Sequence, residues 1–210
     1  MALLDPLPYE TTPDLAPFFD FFLGTLGFVP NSVLTMQRKP KVVQAFARLN
    51  AAVMDPDGKV DPGFRRLIGH MASRAAGCRY CMAHTVLGAR NFGLAEEKLA
   101  ALWDYAASPL YSDAERAALD FARAAASMPN AVDEALGARL KQFWSDEQIA
   151  EMLAVIAMFG FLNRWNDTVG TPLEAPAQAM AQRHLAHHGW SAGKHGAGSS
   201  SGTLGTAQRS

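Results

Sequence analysis

The chain has 210 residues, which fits one compact domain or one built from two similar halves, and 49% of them are hydrophobic, enough for a sizeable core. The formal net charge is −1 and no basic block stands out, so nothing favours nucleic acid or an anionic membrane as a partner. The longest apolar run, around 152–162, is interrupted by Gly160 and closed by Asn163 and Arg164, short of the roughly 20 residues a bilayer span needs. The opening stretch MALLDPLPYE has no basic n-region and no long apolar segment, which predicts no signal peptide and a cytoplasmic location. In that compartment a close cysteine pair reads as redox-active or metal-binding rather than as a structural disulfide.

Residues 1–17 carry four prolines and little periodicity and read as an extended arm. Residues 18–27 predict a short apolar helix ended by Gly27, in which four phenylalanines flank Asp20 as core or interface rather than as a ligand box. Pro30 follows, with Asn31 or Ser32 able to cap the next helix. Residues 40–54 repeat Val42, Val43, Phe46, Leu49 and Val53 at helical spacing. The stretch DPDGKVDP at 55–62 is turn chemistry, and Asp61-Pro62 opens a helix to about 76. Gly77 breaks it, and a further helix runs through Asn91 to Gly93. Helices are then expected over 94–107, 114–127 and 133–143. Ser145 to Gln148 resembles a capping box that starts an apolar helix to about 162, with a continuation to 170 allowed. The last helix is expected over 178–188. Beyond His195 the Gly, Ser, Thr and Ala-rich stretch 196–210 reads as a disordered tail. No segment shows convincing strand alternation, so the fold is all-α, with one domain over 18–195.

A shift of 85 residues brings out an internal similarity. FRRLIGHMASRAAGCRYCM (64–82) falls on IAEMLAVIAMFGFLNRWND (149–167), so that Cys78-Arg79-Tyr80-Cys81 meets Asn163-Arg164-Trp165-Asn166. Upstream, AFARLNAAV (45–53) resembles DFARAAASM (120–128). A duplicated helical unit, with halves of about 40–107 and 114–170, accounts for this; chance likeness between Ala- and Met-rich helices is the alternative. On the duplication reading, Asn163 to Asn166 is a second helix start, without sulfurs.

The chemistry concentrates in GCRYCMAHT (77–85), which holds both cysteines of the chain. The thiolate is the nucleophile, and the first-turn N–H groups and dipole of a helix favour that anion. The three-residue spacing puts Cys78 and Cys81 on one face. His84 lies one turn on, where it can hydrogen-bond the thiolate or shuttle its proton. Cys81 is nearer His84 and is the candidate attacking sulfur, with Cys78 resolving a sulfenic acid to a disulfide. Zinc is the alternative chemistry, but a structural site wants four ligands and these residues supply at most three. Two inert buried thiols remain the bland alternative.

SRAAGCRYCMAHT, followed by LGARNFGLAEEKLAAL, resembles the carboxymuconolactone decarboxylase-like superfamily, and within it the alkyl hydroperoxidase D-like, peroxidase-related branch. SDAERAALDFARA, FWSDEQIAEMLAVIAMFGFLNRWND and the ending GWSAGKH resemble it too, so the likeness spans roughly 15–195. The resemblance implies an all-α fold, homo-oligomers (dimer, trimer or hexamer) and haem-free reduction of hydroperoxides through the cysteine pair. It implies that Cys81 is peroxidatic, Cys78 resolving and His84 the relay. The family's glutamate, twelve residues before the first cysteine, is here Arg66. His70, one turn later, is the candidate replacement acceptor, and Glu151 holds the matching place in the second copy. The decarboxylase members lack the cysteine pair.

The reading is therefore a thiol-dependent hydroperoxide reductase with site residues Cys78, Cys81, His84 and His70, an unidentified thiol or dithiol reductant, no cofactor and no metal. A redox-sensing oligomer without turnover, and a decarboxylase-like enzyme acting on a small acid, are the alternatives. Among other residues, Arg66 is expected to pair with Glu151 or another acid, and Tyr80 to pack behind the cysteines. Arg164, Trp165 and Asp167 are expected at an interface. His184, His187 and His188 read as a solvated helix end.

Overall fold

The computed structural model describes residues 2–196. Among the described residues it is all-α. Ten α-helices follow in order: α1 (Ala16–Leu26), α2 (Asn31–Met36), α3 (Pro40–Val53), α4 (Pro62–Ala75), α5 (Arg79–Asn91), α6 (Glu96–Ala100), α7 (Asp113–Ala126), α8 (Glu134–Lys141), α9 (Asp146–Val169) and α10 (Ala175–Leu185). The tail expected to be disordered lies outside the described residues from position 197 onward.

α4 is the hub. It packs against α5, α7 and α9, while α5 also packs against α9 and α10. Its burial follows from composition: Phe64, Leu67, Ile68, Met71 and Ala72 are all inside. Gly69 permits the crossing with α9, because a β-carbon there would fall 2.4 Å from the Phe159 ring. Local chemistry fixes the ends. Asp61 accepts from the Phe64 N–H at 2.7 Å, and Pro62 fills the first turn. Ser145 and Gln148 form the expected capping box, and Ser112 and Glu115 form another. Arg65, fully buried, bonds the carbonyls of Val53 and Asp55 and pairs with Glu151 at 3.2 Å, tying the 55–61 turn to α9.

The structure departs from the sequence expectations at four places. The arm is not extended throughout: 3₁₀ turns form at Tyr9–Thr11 and Pro13–Leu15, and Leu15 is fully buried. The helix expected over 94–107 stops at Ala100 and tightens to a 3₁₀ turn at Leu102–Asp104. The Tyr111 hydroxyl donates to the Lys98 carbonyl at 2.6 Å, the acceptor that a continued helix would have given to the Leu102 N–H. The last helix starts earlier, at Ala175 with Pro176 in its first turn, and its expected end is a 3₁₀ turn at Ala186–His188. Finally, Asn163 to Asn166 is no helix start. α9 runs through it without a break. The reason lies one residue upstream: Gly77 ends α4 with φ +74°, whereas the matching position is Leu162, for which a left-handed conformation is costly.

Candidate functional site

α5 begins where Gly77 turns the chain. Cys78 is its N-cap, and its sulfur accepts from the Cys81 N–H at 3.5 Å, standing in for the oxygen of a serine or aspartate cap. Both cysteines are free thiols and both are buried. Asn166 of α9 donates from Nδ2 to Cys81 Sγ at 3.5 Å, while its Oδ1 accepts from the Thr171 hydroxyl. The sulfur of Cys81 thus meets the residue that the 85-residue shift places on it.

Cys81, His84, Thr85 and Gly88 follow one another at helical spacing and line one side of a cavity of about 90 Å³. Phe22, Phe46 and Met54 enclose it from α1 and the α3 end, Phe159 and Leu162 from α9, and Arg66 from α4. One of the four clustered phenylalanines, Phe22, is therefore a cavity wall as well as core, stacked on Phe46.

The partner of His84 is Glu174, the residue before α10. Its Oε2 lies 2.6 Å from His84 Nε2, and its Oε1 accepts from the Tyr80 hydroxyl at 2.8 Å and from the Asn31 N–H. Tyr80 stacks on the His84 ring with centroids 4.3 Å apart, and Phe28 meets that ring edge-on. Burial raises the Glu174 carboxyl, but the adjoining His84 and the N–H donors outweigh it and hold it below its ordinary value. Burial, and then the Glu174 charge, push the Tyr80 phenol well above its ordinary value, so it stays a donor. An ionised Glu174 takes the Nε2–H of His84 and leaves Nδ1 as the basic nitrogen.

Cys81 and His84 share the cavity wall, Cys78 touches Cys81 at the start of α5, and His70 lies off that wall. His70 is fully buried, off the cavity wall, with Nδ1 3.0 Å from Thr85 Oγ1. Arg66 does not pair with Glu151. Its guanidinium lies over the Phe92 ring and against the Met54 sulfur, and Arg65 takes the carboxylate. Glu151 also accepts from the N–H groups of Lys59 and Val60, so it serves the turn and not the thiols. Trp165 donates to Thr35 Oγ1 and Asp167 pairs with Lys194, both within the chain. The histidines near the end of α10 are not all solvated: His184 is buried beside Glu96, and His188 stacks on Trp103. Among the described residues no group of three or more His, Cys, Asp or Glu side chains is placed to hold a metal ion.

Glu174 was missed in the sequence because no spacing ties it to the cysteines. The available signal was an acid followed by Ala-Pro, a plausible helix start, in TPLEAP (171–176).

The electrostatics of Cys81 run against the simple helix-dipole expectation. Burial pushes its thiol well above the ordinary value, the neighbouring Cys78 adds to this, and the Asn166 bond only partly opposes it. A helix N-terminus contributes about 0.3–1 kcal/mol, less than one pKa unit, whereas full burial can move a group by up to 3–5 units. Cys81 therefore rests as a thiol. Alkylation of Cys81 by iodoacetamide, followed by mass spectrometry, is expected to keep accelerating from pH 7 to above its ordinary value of 9.0. A plateau below pH 8 would show a stabilised thiolate and contradict the burial argument.

The sequence pattern of the carboxymuconolactone decarboxylase family matches residues 40–124. The protein YnjA of Escherichia coli strain K12 is 31% identical over 123 residues, which cover 59% of this chain and 65% of that protein, a little under two thirds of its length. The apo structure of the debrominase Bmp8 is 35% identical with a TM-score of 0.80, over 85% of this chain and 95% of that one. A cysteine-to-alanine variant of Bmp8 in complex with 2,3,4-tribromopyrrole is 33% identical with a TM-score of 0.82, over 87% and 97%. An AhpD-core, peroxidase-related protein from Ralstonia eutropha JMP134 is 26% identical with a TM-score of 0.70, over 84% and 96%.

Proposed function

The chain belongs to the carboxymuconolactone decarboxylase/AhpD-like superfamily, and on that premise we propose that it is a haem-free thiol reductase of hydroperoxides. The observation that carries this reading is the free Cys78–Cys81 pair at the start of α5. Cys81 lines the cavity beside a histidine whose tautomer is set by Glu174.

The steps follow from those residues. His84 Nδ1 takes the Cys81 proton. The thiolate attacks the terminal peroxide oxygen, the O–O bond breaks, and the alkoxide leaves as alcohol with the proton held by His84. Cys81 is then a sulfenic acid. Cys78 attacks it, an S–S bond forms, and the hydroxyl leaves as water with the Cys78 proton. One hydroperoxide and two thiols become one alcohol, one water and one disulfide. A thiol or dithiol reductant returns two electrons and two protons.

A second reading draws on the likeness to Bmp8 and on the aromatic and methionine walls of the cavity. The same pair would reduce a halogenated ring, giving the hydrogen-bearing ring, hydrogen halide and the disulfide. Exposed Leu23, Leu49, Leu153 and Phe161 on α1, α3 and α9 support a homo-oligomer.

The test is stopped-flow reaction of the reduced protein with tert-butyl hydroperoxide, counting free thiols before and after. Paired loss of both thiols, abolished in Cys81→Ser, is expected. Thiols that stay reduced for minutes at millimolar peroxide would sink the hydroperoxide reading. Bromide release from 2,3,4-tribromopyrrole under the same conditions would then favour the second.

A further inference from the structure

Arg66 is the one cavity-lining residue whose ordinary state is a full positive charge. No carboxylate of the described residues lies within 4.0 Å of it. Its contacts are neutral: the Phe92 ring face, 4.5 Å from the guanidinium carbon, and the Met54 sulfur. Those leave most of its five N–H donors without an acceptor. Asn50, one turn before Met54 on α3, lines the same cavity, and its amide makes no hydrogen bond to the described residues.

The place of this charge relative to the thiol is fixed by α5. The Arg66 stem crosses the helix at Gly88, where a β-carbon would sit 3.1 Å from its Cδ and Nε. Gly88 is seven residues beyond Cys81, which puts the crossing about 10 Å along the helix from the reactive sulfur. Between them α5 presents His84 and Thr85, and Phe22, Phe46 and Phe159 give the same cavity apolar walls.

We propose that Arg66, with Asn50 beside it, is an anion-binding subsite, and that the substrate is a small apolar acid. Its carboxylate or comparably acidic group would rest at Arg66 while the reducible atom reaches Cys81. The inference deepens the thiol-reductase reading, since it takes the cavity as the substrate site. A half-buried guanidinium without a protein counter-charge leaves donors free, and a carboxylate meets its fork with two charge-assisted bonds. Burial, with the charge of Arg65 adding to it, lowers the Arg66 pKa to about 10, which leaves it charged at neutral pH. On this reading Arg66 does not inherit the proton-acceptor role of the family glutamate it replaces; it selects the substrate.

The experiment uses reduced Cys81→Ser protein, which cannot turn over, titrated by calorimetry with 4-methylbenzoate and its neutral isostere 4-methylbenzamide. The carboxylate is expected to bind at least about tenfold more tightly, and the preference to vanish in Arg66→Met. Equal binding, binding of neither at millimolar concentration, or a preference that survives Arg66→Met would each overturn the proposal. Should Arg66→Met not fold, protection of Cys81 from iodoacetamide in the wild-type chain decides. Protection at lower carboxylate than amide concentration supports the subsite, and equal protection overturns it. Neither readout needs turnover, so failure of the peroxide assay leaves this result standing and sinks only the reductase reading.

Discussion

Glu174→Gln is expected to lower kcat for thiol-dependent peroxide reduction by about a hundredfold or more while leaving the fold intact. The glutamine has the same shape. Its amide oxygen can still accept from Tyr80 and Asn31, as Glu174 Oε1 does. The change falls on His84. On the proposed mechanism the Glu174 carboxylate, 2.6 Å away, accepts the proton of Nε2, which leaves Nδ1 to take the proton of Cys81. An amide N–H₂ in place of Oε2 donates to Nε2 instead. The imidazole then carries its proton on Nδ1, and the base is lost without any side chain having moved. The loss of charge works in the same direction, because Glu174 also stabilises the imidazolium that forms once the thiol is deprotonated. The measurement is steady-state turnover with a saturating dithiol, with KM and the pH profile recorded together. A fall in kcat with KM held, partly recovered in Glu174→Asp, is the expected pattern. Unchanged kcat in Glu174→Gln would remove His84 and Glu174 from the chemistry.

That residue also marks the boundary of what could be read from the chain alone. The all-α class, the break at Gly77 and the cluster Cys78, Cys81 and His84 were legible because each depends on residues within two turns of one another. Helical spacing alone places the two sulfurs and the imidazole on one face. Glu174 lies 90 residues beyond His84 and arrives through the docking of α10 on α5, which no local periodicity encodes. Asn166 stands between these cases. The 85-residue similarity matched it to Cys81, and in the fold its amide touches that sulfur, although the helix start expected around it is absent. Arg66 was legible as a departure from the family pattern, but its surroundings were not: Met54 comes from the end of α3, and Gly88 and Phe92 from the end of α5. The expected proton acceptor His70 lies off the cavity wall, and its ring nitrogen meets Thr85, one turn beyond Cys81.

His70 is instead expected to make the protein acid-sensitive. Thr85 gives its hydroxyl hydrogen to the Met82 carbonyl at 2.9 Å, so toward His70 it can only accept. The single imidazole proton therefore sits on Nδ1, and Nε2 is buried without a partner. A second proton on Nε2 would be a buried cation with no acceptor. Burial is the main reason the pKa falls from 6.5 to about 4; the Met82 backbone opposes it and the Arg74 charge adds to it. The sign follows directly. Between pH 6.5 and 4 the unfolded chain binds a proton that the folded chain refuses, so stability is present above pH 6.5 and is lost as pH falls toward 4. At 1.36 kcal/mol per pKa unit this amounts to about 3 kcal/mol, a large part of the 5–15 kcal/mol typical of a domain. Urea unfolding of the wild-type chain and of His70→Leu, at steps from pH 7.5 to 4.5, isolates the term. His184 and His195 are also lowered by burial, so both proteins will weaken in acid. The wild-type chain is expected to lose about 2–3 kcal/mol more than the variant over that range. Parallel curves would mean that His70 takes up its proton in the folded state, and the partnerless Nε2 would then have to find an acceptor that this packing does not provide.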